Sequence, residues 1–505
     1  MLFLRAKLLD IDLGDNGVVI NEKEIVGTEY YPQDRVLVEC AKGSFIGVLY
    51  TTKKMVKEGE LGISRGVIEG IEEGEEVRLR HAPRPKSLKY IKKKMDGGVL
   101  KPHEIHTIVD EIVQGKLSNI ELTGFVVSTY IHGMEIGEIV EMTKRMGETG
   151  ERLHWDKHPV VDVHSIGGVP GNKYALITVP IVAAAGMIIP KTSSRAITSA
   201  AGTADVMEVL TRVDLDAQEM KRVVEATNGC LVWGGSVNLA PADDIIINVE
   251  RPLSIDPQPQ LLASVMAKKI AAGINYTVID IPVGPGAKIK NEREGYALAR
   301  KFIELGDRVG IDVECAITYG GQPIGRAVGP ALEAREALMA LEDPKSAPKS
   351  LIEKSLSLAG ILLEFGGVAQ HGSGTKVAKD ILYSGKALEK FKEIVLEQGG
   401  GEGITKSEDV ELGRYFEDVP SSKDGYVISL SNRGITEIAK EAGAPRDKMA
   451  GVLLYVKRGC KVNRGDILYR IYSSSEERLK SALKLARRIH PVRVEGMVIR
   501  RISKF

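Results

Sequence analysis

The sequence predicts a mixed α/β protein. A small all-α lobe and a largely parallel α/β domain are expected between an N-terminal small β-barrel and a C-terminal α+β domain. Three patterns indicate this fold class: short strands separated by turns before His81, helices that stop at glycines between Pro102 and Gly147, and strands that alternate with helices after Val160. Such alternation is typical of a parallel sheet covered by helices.

Chain length and these patterns divide the protein into regions. A chain of 505 residues exceeds what one hydrophobic core supports, so several domains are expected. We predict a barrel-like assembly domain at residues 1–84 and a central catalytic region at 85–340. Within that region, residues from about 87 to 155 should form the helical lobe and 156–340 the α/β domain. Residues 341–505 should form helices followed by the α+β domain.

The first 81 residues contain five short apolar or β-branched segments, separated by turns such as Lys42-Gly43. Frequent short strands with turn signals predict a small β-barrel. Since no cluster of catalytic side chains occurs there, we interpret this domain as an assembly or packing module. The predicted strands are Leu2–Leu8, Gly17–Ile20, Arg35–Val38, Phe45–Tyr50 and Glu76–Arg80.

A proline-containing linker, Ala82–Ser87, precedes the helical lobe. Three helices are predicted there: from Pro102 to Gly115, from the capping box Ser118–Glu121 to Gly133, and from Glu135 to Met146.

The α/β domain should begin with the strand at Val160. Its predicted strands are Val160–Val163, Met187–Ile189, Cys230–Trp233, Tyr276–Val283 and Val313–Tyr319, and its predicted helices are Lys173–Ala185, Ala217–Ala226, Gln260–Ala272 and Glu292–Leu305. Further helices should fill residues 331 to about 396, and strands with one helix should follow Gly401.

Composition excludes several classes of function. Lys and Arg number 69 against 68 Asp and Glu, so no general attraction to nucleic acid is implied. Charges interrupt the N-terminal segment Met1–Lys7 too early for a signal or membrane segment. The four cysteines are far apart and form no metal-binding pair, so a cytoplasmic, reduced protein is expected. Few Cys and only 8 Gln favour a thermophilic source.

The stretch from Asp162 to Glu208 is the most informative part of the chain. A short strand ends in His164-Ser165 and the glycine pair Gly167-Gly168, and an apolar run then leads to a second loop rich in Ser, Thr and Gly. Unpaired backbone N–H groups and the helix dipole at such strand–loop–helix turns suit an anion. Two such turns predict a phosphate-binding cleft at the carboxyl ends of a sheet.

This stretch resembles the signature of the thymidine and pyrimidine-nucleoside phosphorylase family. The matching positions are Ser193, Arg195, Gly202, Thr203, Asp205 and Glu208, and the resemblance continues through Ser264 and Lys268 to the C-terminus. The extra N-terminal piece before about Leu88 is similar to that of the archaeal AMP phosphorylases within this family.

The resemblance implies a fold like that of the class II nucleoside phosphorylases. It also implies phosphorolysis of an N-glycosidic bond with inorganic phosphate as co-substrate and no cofactor. Homodimers formed through the helical lobe, and larger homo-oligomers built from them, are expected as well. Phosphorolysis requires an aligned phosphate nucleophile and a neutralised leaving base.

Candidate substrate-binding residues follow from the two loops and from the family match. Backbone amides at Gly168 and the hydroxyl groups of Ser193, Ser194 and Thr203 suit phosphate oxygens. Arg195 suits bidentate contact with a phosphate, although a buried pair with Asp205 is the structural alternative. The full substrate-binding set is Gly168, Ser194, Arg195, Ala196, Ile197, Thr198, Ser199, Thr203, Ser264 and Lys288.

Two departures from the family indicate a changed pocket. Thymidine phosphorylases have a lysine immediately before the His-Ser pair, where this chain has Val163, so Lys173 and Lys191 become candidates for the phosphate-binding lysine. The family's pyrimidine-contacting Arg also has no clear match, since Arg251 lies only near its place and the segment before Ser264 is slightly shorter.

Asp256 precedes the Ser264 helix and is the candidate general acid. A purine leaves more easily when N7 is protonated, and a carboxylic acid can supply that proton. The resemblance to AMP phosphorylases implies this role, while the alternative is a carboxylate that only caps the turn at Pro257. His164 matches the family's histidine, which implies contact with the base or the sugar.

The function predicted from these residues is AMP + phosphate → adenine + ribose 1,5-bisphosphate, and the family comparison implies some activity on CMP and UMP. Three alternatives stay open. One is a thymidine or pyrimidine-nucleoside phosphorylase. Another is an anthranilate phosphoribosyltransferase that uses Mg²⁺ and diphosphate, for which Asp243-Asp244 is weak support. The last is a non-catalytic scaffold assembled through the barrel.

Overall fold

The computed structural model describes residues 1–13, 16–64, 71–196, 199–498 and 501–502. The chain forms two compact units. The first comprises Met1–Met142 and Ala242–Pro259, and the second comprises Thr143–Pro241 and Gln260–Phe505. Among the described residues, no helix is long and apolar enough to cross a membrane.

The first unit begins with a closed six-stranded barrel in which the strands follow the order β1-β5-β2-β4-β3-β6. In β3 alternate residues point inward, so Val36 and Val38 are fully buried. The predicted barrel is confirmed, but the sequence did not reveal β5, because four residues are too few for a period-2 pattern. The strands are β1 (Leu2–Leu8), β2 (Gly17–Asn21), β3 (Arg35–Cys40), β4 (Gly43–Thr52), β5 (Glu60–Ile63) and β6 (Glu76–His81).

The helical lobe follows the barrel. Its helices are α1 (Leu88–Met95), α2 (Pro102–Val113), α3 (Asn119–His132) and α4 (Ile136–Glu148). The predicted capping box is present, since Ser118 Oγ accepts from Glu121 N at 3.4 Å and Glu121 Oε2 accepts from Ser118 N at 2.7 Å. The prediction of three helices was wrong, because four of the eight residues of α1 are lysines and obscure its apolar side.

The second unit contains two sets of parallel strands. Strand β10 lies between β7 and β11, and β8 pairs with β9. A parallel bridge between Val160 and Ile188 connects the two sets. The carboxyl ends of these strands therefore meet at one edge, as the alternating pattern predicted. The strands are β7 (Val161–Ser165), β8 (Ile189–Ser193), β9 (Gly229–Trp233), β10 (Tyr276–Val283) and β11 (Asp312–Tyr319).

Helices of the second unit cover these strands, and several of them share one large hydrophobic core. Helix α5 is buried throughout from Ala175 to Ala183 and packs against the later helices α13 and α15. The helices that follow the lobe, in chain order, are α5 (Ala175–Ala184), α6 (Thr203–Met207), α7 (Ala217–Thr227), α8 (Gly234–Val237), α9 (Pro241–Leu253), α10 (Gln258–Ala271), α11 (Glu292–Val309), α12 (Pro330–Glu342), α13 (Lys349–Phe365), α14 (Gly374–Tyr383) and α15 (Lys386–Gln398). Of these, α9 belongs, from Ala242 onward, to the first unit.

The C-terminal part is α+β, with two small antiparallel sheets in the orders β12-β15-β17-β13 and β16-β14-β18. Two helices pack against these sheets rather than the predicted one, because the second, α17, is so highly charged that its apolar stripe is narrow. The elements are β12 (Ala327–Val328), β13 (Tyr415–Pro420), β14 (Gly425–Leu430), α16 (Asn432–Ala442), β15 (Gly451–Leu454), β16 (Lys461–Val462), β17 (Ile467–Ser473), α17 (Glu476–Ile489) and β18 (Val492–Glu495).

Candidate active site

The turn after β7 brings two of the predicted residues together. Gly167 and Gly168 have φ values of +81° and +87°, a region that side chains disfavour. A Cβ atom on Gly168 would lie 2.7 Å from Cγ and 2.8 Å from the backbone N of Lys288. Glycine at this position therefore permits the segment after β10 to approach the turn. Ser165 Oγ stabilises the turn by accepting from Gly167 N at 3.3 Å and from Asn172 Nδ2 at 3.0 Å.

A buried carboxylate and two buried lysines lie beside this turn. Lys191 Nζ is 3.4 Å from Asp162 Oδ1, and Lys269 Nζ is 2.5 Å from Asp162 Oδ2. Lys191 Nζ also donates to the Thr192 carbonyl at 2.7 Å. Burial lowers the pKa of Lys191 to about 8, against the opposing effect of Asp162, and the charge of Lys269 lowers it further. One carboxylate thus faces two cations, and the cluster carries excess positive charge.

The positive charge of these lysines affects the pKa of His164. Burial lowers the pKa of His164 well below its ordinary value, and the charges of four lysines, Lys269, Lys191, Lys268 and Lys288, lower it further. The imidazole is therefore neutral near pH 7, and its Nδ1 atom has no hydrogen-bond partner among the described residues. A neutral imidazole with a buried, unpartnered nitrogen is suited to hydrogen-bond a ligand.

Helix α10 contributes two predicted residues. Ser264 and Lys268 lie four residues apart, so both occupy one face of the helix, and both are partly buried. The positive charges of Lys268 and Lys288 both lower the pKa of His164. This face of α10 therefore lies near the end of β7.

The loop after β8 contains most of the predicted substrate-binding residues. Ser194 is exposed, whereas Thr203 at the start of α6 is partly buried. Ser193 Oγ donates to the Val232 carbonyl at 3.2 Å, which is a structural use of that hydroxyl group. Ser199 Oγ donates to the Ala201 carbonyl at 3.0 Å. The predicted residues Ile197 and Thr198 lie outside the described residues.

Arg195 has a well-defined set of partners. Its guanidinium forms two hydrogen bonds with Glu208, at 2.7 and 2.6 Å, and lies 4.9 Å from the centre of the Trp233 ring. Asp205, the partner that the structural alternative gave to Arg195, lies farther away, with 3.6 Å between Arg195 Nη1 and Asp205 Oδ1. Hydrogen bonds from Arg195 hold the pKa of Glu208 at about 2, with Lys448 contributing. Contact between Arg195 and substrate stays a prediction.

Asp256 belongs to the other compact unit, in the segment Ala242–Pro259. It is exposed and lies in the irregular segment between α9 and α10, two residues before α10 begins. Its assignment as general acid stays a prediction.

Lys173 is unsuited to replace the family's phosphate-binding lysine. Its Nζ is fully buried and donates to Glu336 Oε2 at 2.7 Å, to the Ala327 carbonyl at 3.1 Å and to the Ile324 carbonyl at 3.4 Å. Since these acceptors occupy the ammonium group, Lys191 is the better of the two candidates.

Two features of the site escaped the sequence analysis. Lys269 is buried against Asp162, although only its neighbour Lys268 matched the family. Asp280 is fully buried in β10, where its Oδ1 accepts from Thr318 Oγ1 at 2.6 Å and its Oδ2 lies 2.8 Å from Lys354 Nζ. The only available signal for Asp280 was a lone acidic residue within an apolar strand.

Comparison with known proteins places these elements in known families. The family model described as the glycosyl transferase family helical bundle domain matches residues 88–150, and that of its a/b domain matches residues 157–388. The pyrimidine nucleoside phosphorylase C-terminal domain matches residues 426–492.

A solved structure shares the fold. The anthranilate phosphoribosyltransferase from Thermus thermophilus superposes with a TM-score of 0.52 at 19% identity, covering 61% of this chain and 98% of that one.

Curated relatives match over the whole length. The AMP phosphorylase of Methanococcus vannielii is 69% identical over 507 residues, and that of Methanocaldococcus jannaschii is 61% identical over 507 residues, each alignment covering 100% of both chains. The AMP phosphorylase of Pyrococcus furiosus is 52% identical over 501 residues, which cover 99% of each chain. The chain therefore belongs to the AMP phosphorylase family.

Proposed function

We propose that this protein catalyses the phosphorolysis of AMP, AMP + phosphate → adenine + ribose 1,5-bisphosphate, and acts to a lesser extent on CMP and UMP. Inorganic phosphate is the co-substrate and no cofactor takes part. The relatives named AMP phosphorylase support the choice of AMP. The reaction would serve AMP degradation and nucleotide salvage.

One observation carries the proposal: the excess positive charge at the end of β7. Lys191 and Lys269 both pair with the buried carboxylate of Asp162, so two cations face one anion there. The charges of these two lysines also act on the neighbouring His164. A reaction that joins a nucleoside monophosphate to inorganic phosphate brings two phosphate groups together. Several buried or partly buried lysines offset the repulsion between these groups better than one would.

The reaction forms one bond and breaks another at C1′ of the ribose. An oxygen of inorganic phosphate attacks C1′ of the ribose, and the bond from C1′ to N9 of adenine breaks. The backbone at Gly168 and the buried lysines Lys191 and Lys269 hold the attacking phosphate. Ser194 to Ser199, with Thr203, Ser264 and Lys288, bind AMP in this proposal. Holding two reactants in line is itself a large part of catalysis.

Asp256 is proposed as the general acid. It donates its proton to N7 of adenine as the bond to N9 breaks, so the base leaves as a neutral molecule and Asp256 becomes a carboxylate. Solvent then returns the proton. A substrate whose base leaves well without protonation would not need this general acid.

The test compares AMP with adenosine under identical conditions, each with phosphate, and identifies the products by chromatography. We expect kcat/KM for AMP to exceed that for adenosine by at least about tenfold, because only AMP offers a 5′-phosphate to the loop residues and the lysine, Lys288, that bind AMP in this proposal. An equal or larger value for adenosine would contradict the proposal. Thymidine serves as a third substrate, since the match to the pyrimidine nucleoside phosphorylase C-terminal domain makes a pyrimidine nucleoside the second candidate.

We further propose that the protein forms homodimers through the helical lobe and that the barrel assembles these into larger particles. Exposed apolar side chains on the helical lobe and on the barrel support these two proposed interfaces. On α3, Ile120 and Ile131 are 78% and 66% exposed and lie three helical turns apart on one side. On the barrel, Phe3 and Val26 are 58% and 78% exposed. Large apolar side chains in water favour burial against a partner.

A further inference from the structure

The two ends of the substrate loop are tied to one carboxylate. Asp205 Oδ2 accepts from the backbone N of Ala196 at 2.6 Å and from that of Gly202 at 2.9 Å. These two residues flank Ser199, one of the proposed AMP-binding residues. The spacing of the loop ends therefore depends on where the Asp205 carboxylate lies.

Asp205 requires compensation, because its side chain is only 4% exposed. Two cations are close to its other oxygen, Oδ1: Lys448 Nζ at 3.2 Å and Arg195 at 3.6 Å. Arg195 forms two hydrogen bonds with Glu208, and both are shorter than its 3.6 Å distance to Asp205. Lys448 is thus the nearer cation to Asp205, and it also lies 2.5 Å from Glu208 Oε2.

Lys448 is held firmly by its surroundings in the C-terminal α+β part. The carboxylate of the preceding residue, Asp447, accepts from Met449 N at 3.1 Å and from Ser474 N at 2.9 Å. The carbonyl of Lys448 accepts from Ala331 N at 2.9 Å. The backbone position of Lys448 is therefore set by the turn after α16, by the residue after β17 and by the start of α12, while Asp205 and Glu208 bind its ammonium group.

From this geometry we infer that Lys448 is a positioning residue for substrate binding: through Asp205 it holds Ala196 and Gly202 at the separation that the substrate loop requires. The inference rests on the proposed function, because it assumes that this loop binds AMP. It assigns the C-terminal part a role in the affinity for AMP, which Lys448 would exert through its ion pairs with Asp205 and Glu208.

The experiment uses the full-length enzyme with three substitutions. Lys448→Met removes the charge, and Lys448→Arg retains it. Lys423→Met is the matched control, because Lys423 lies in the same part of the chain and pairs with Glu495 at 2.8 Å in an exposed ion pair. A residue that only stabilises the fold would lower the melting temperature without changing KM.

We expect Lys448→Met to raise KM for AMP by about tenfold while kcat falls less than about threefold, because the loss concerns substrate binding rather than the transition state. Lys448→Arg should restore KM to within about threefold of the wild type, since guanidinium can bridge both carboxylates. Lys423→Met should match the wild type. A KM for AMP within about twofold of the wild type in Lys448→Met overturns the inference, whatever happens to kcat. If the Met variant does not fold, Lys448→Gln takes its place under the same criterion.

Hydrogen–deuterium exchange separates this inference from the proposed function. Peptides that contain Ala196 and Gly202 should exchange faster in Lys448→Met than in Lys423→Met, because their amides donate to Asp205. This readout needs no activity. An inactive wild-type enzyme with the expected exchange would remove the proposed function and leave the positioning role, whereas unchanged exchange would remove the positioning role alone.

Discussion

At the scale of single residues, the candidate site is governed by an imbalance of buried charge. Asp162 pairs with Lys191 and Lys269, whose side chains are 5% and 3% exposed. Keeping two ammonium groups away from water beside one carboxylate is costly, and the cost appears as the lowered pKa of Lys191. A bound phosphate would supply the missing negative charge. In the proposed reaction, phosphate binding would therefore offset the excess positive charge beside Asp162.

Phosphate binding should weaken as Lys191 loses its proton. Because the pKa of Lys191 is about 8, the neutral form dominates above that pH, and we expect KM for phosphate to rise there. Lys191→Arg should abolish this rise, since an arginine stays charged. KM for phosphate measured across the range from about pH 6.5 to about 9.5 checks the expectation.

A matched control is available in Lys457. Burial lowers its pKa to about 8 as well, and it donates to the carbonyl of Gly325 at 2.8 Å. If Lys457→Arg removes the pH dependence and Lys191→Arg does not, Lys191 is not the responsible group. Should Lys191→Arg be too bulky to fold, Lys191→Met should show a high KM for phosphate at every pH.

The general acid is tested by Asp256→Asn, which keeps the shape but cannot donate the proton. Positioned proton transfer contributes about 10²–10⁴-fold, so kcat for AMP should fall by at least about 10²-fold. KM should change little, because the loss belongs to the transition state. Steady-state kinetics with AMP, and with a nucleotide whose base leaves well unprotonated, measure both effects.

Lys288→Ala provides the contrast, since it should mainly raise KM. A folded Asp256→Asn enzyme with near-normal kcat would return Asp256 to a role in capping the turn at Pro257 and would leave His164 as the next candidate.

Sequence reasoning identified some residues of the site and missed others for a physical reason. Gly168 and Lys288 were predicted separately, and the structure shows them in contact. Lys269 was missed because neighbours on a helix point about 100° apart, so only one of two adjacent lysines was expected to face the ligand. The second is held by Asp162, whose burial in β7 is a tertiary property that no local pattern reveals.

At the scale of elements, strand β8 shows how a tertiary partner extends a strand beyond its apolar run. The apolar pattern predicted a strand at Met187–Ile189, but β8 runs from Ile189 to Ser193. The polar residues Lys191 and Thr192 continue the strand because they pair with Leu231 and Val232 of β9. The extension places Lys191 in the sheet, where it can reach Asp162.

Helix α12 carries a second buried charge cluster that affects stability. Glu336 pairs with the buried Lys173, while the neighbouring Glu333 is buried and accepts from Gly329 N at 3.1 Å. Burial raises the pKa of Glu333 to about 7, against the opposing charge of Lys173. The folded protein therefore favours the protonated form of this carboxyl group.

Glu333→Gln should stabilise the protein at high pH. Because the folded pKa lies above the ordinary 4.5, stability falls as pH rises from about 4.5 to about 7, and the penalty is complete above that range. We expect the variant to exceed the wild type by about 1–3 kcal/mol at pH 8 and to equal it below pH 4.5. Urea unfolding at the two pH values measures the difference.

Glu336→Gln is the control on the same helix, because it breaks the pair with Lys173 and should destabilise the protein at pH 8. Equal unfolding midpoints for Glu333→Gln and the wild type at pH 8 would show that Glu333 carries no penalty.

At the scale of the whole molecule, the order of structural classes along the chain was predictable, and the way distant segments combine was not. Alternation of strands and helices indicated the parallel sheet, and short strands indicated the barrel. By contrast, strand β12 has only two residues, and it comes from the α/β part of the chain but pairs with β15 of the C-terminal part. Its pairing depends on segments more than 120 residues apart in sequence, as Ala327↔Leu453 shows.

The barrel offers a test of assembly, because its hydrophobic core is distinct from that of the helical lobe of its own unit. Arg35 forms an ion pair with Glu121 at 3.8 Å, and Asn16 lies close to Gly115. The hydrophobic core of the barrel consists of side chains between Leu4 and Leu79. A chain that begins at Ser87 should therefore keep the helical lobe and the second unit folded.

We expect this shortened chain to form dimers, while the full-length chain forms larger particles, because the exposed apolar side chains of the barrel are lost. Light scattering of both proteins at equal concentration measures their masses, and circular dichroism checks that the shortened chain is folded. Phe3→Asp with Val26→Asp in the full-length chain is the matched variant, since charge at both exposed positions should reduce the mass without removing the barrel. An unchanged mass in the shortened chain would exclude the barrel from assembly. A reduced mass in the shortened chain but not in the double variant would assign assembly to another face of the barrel.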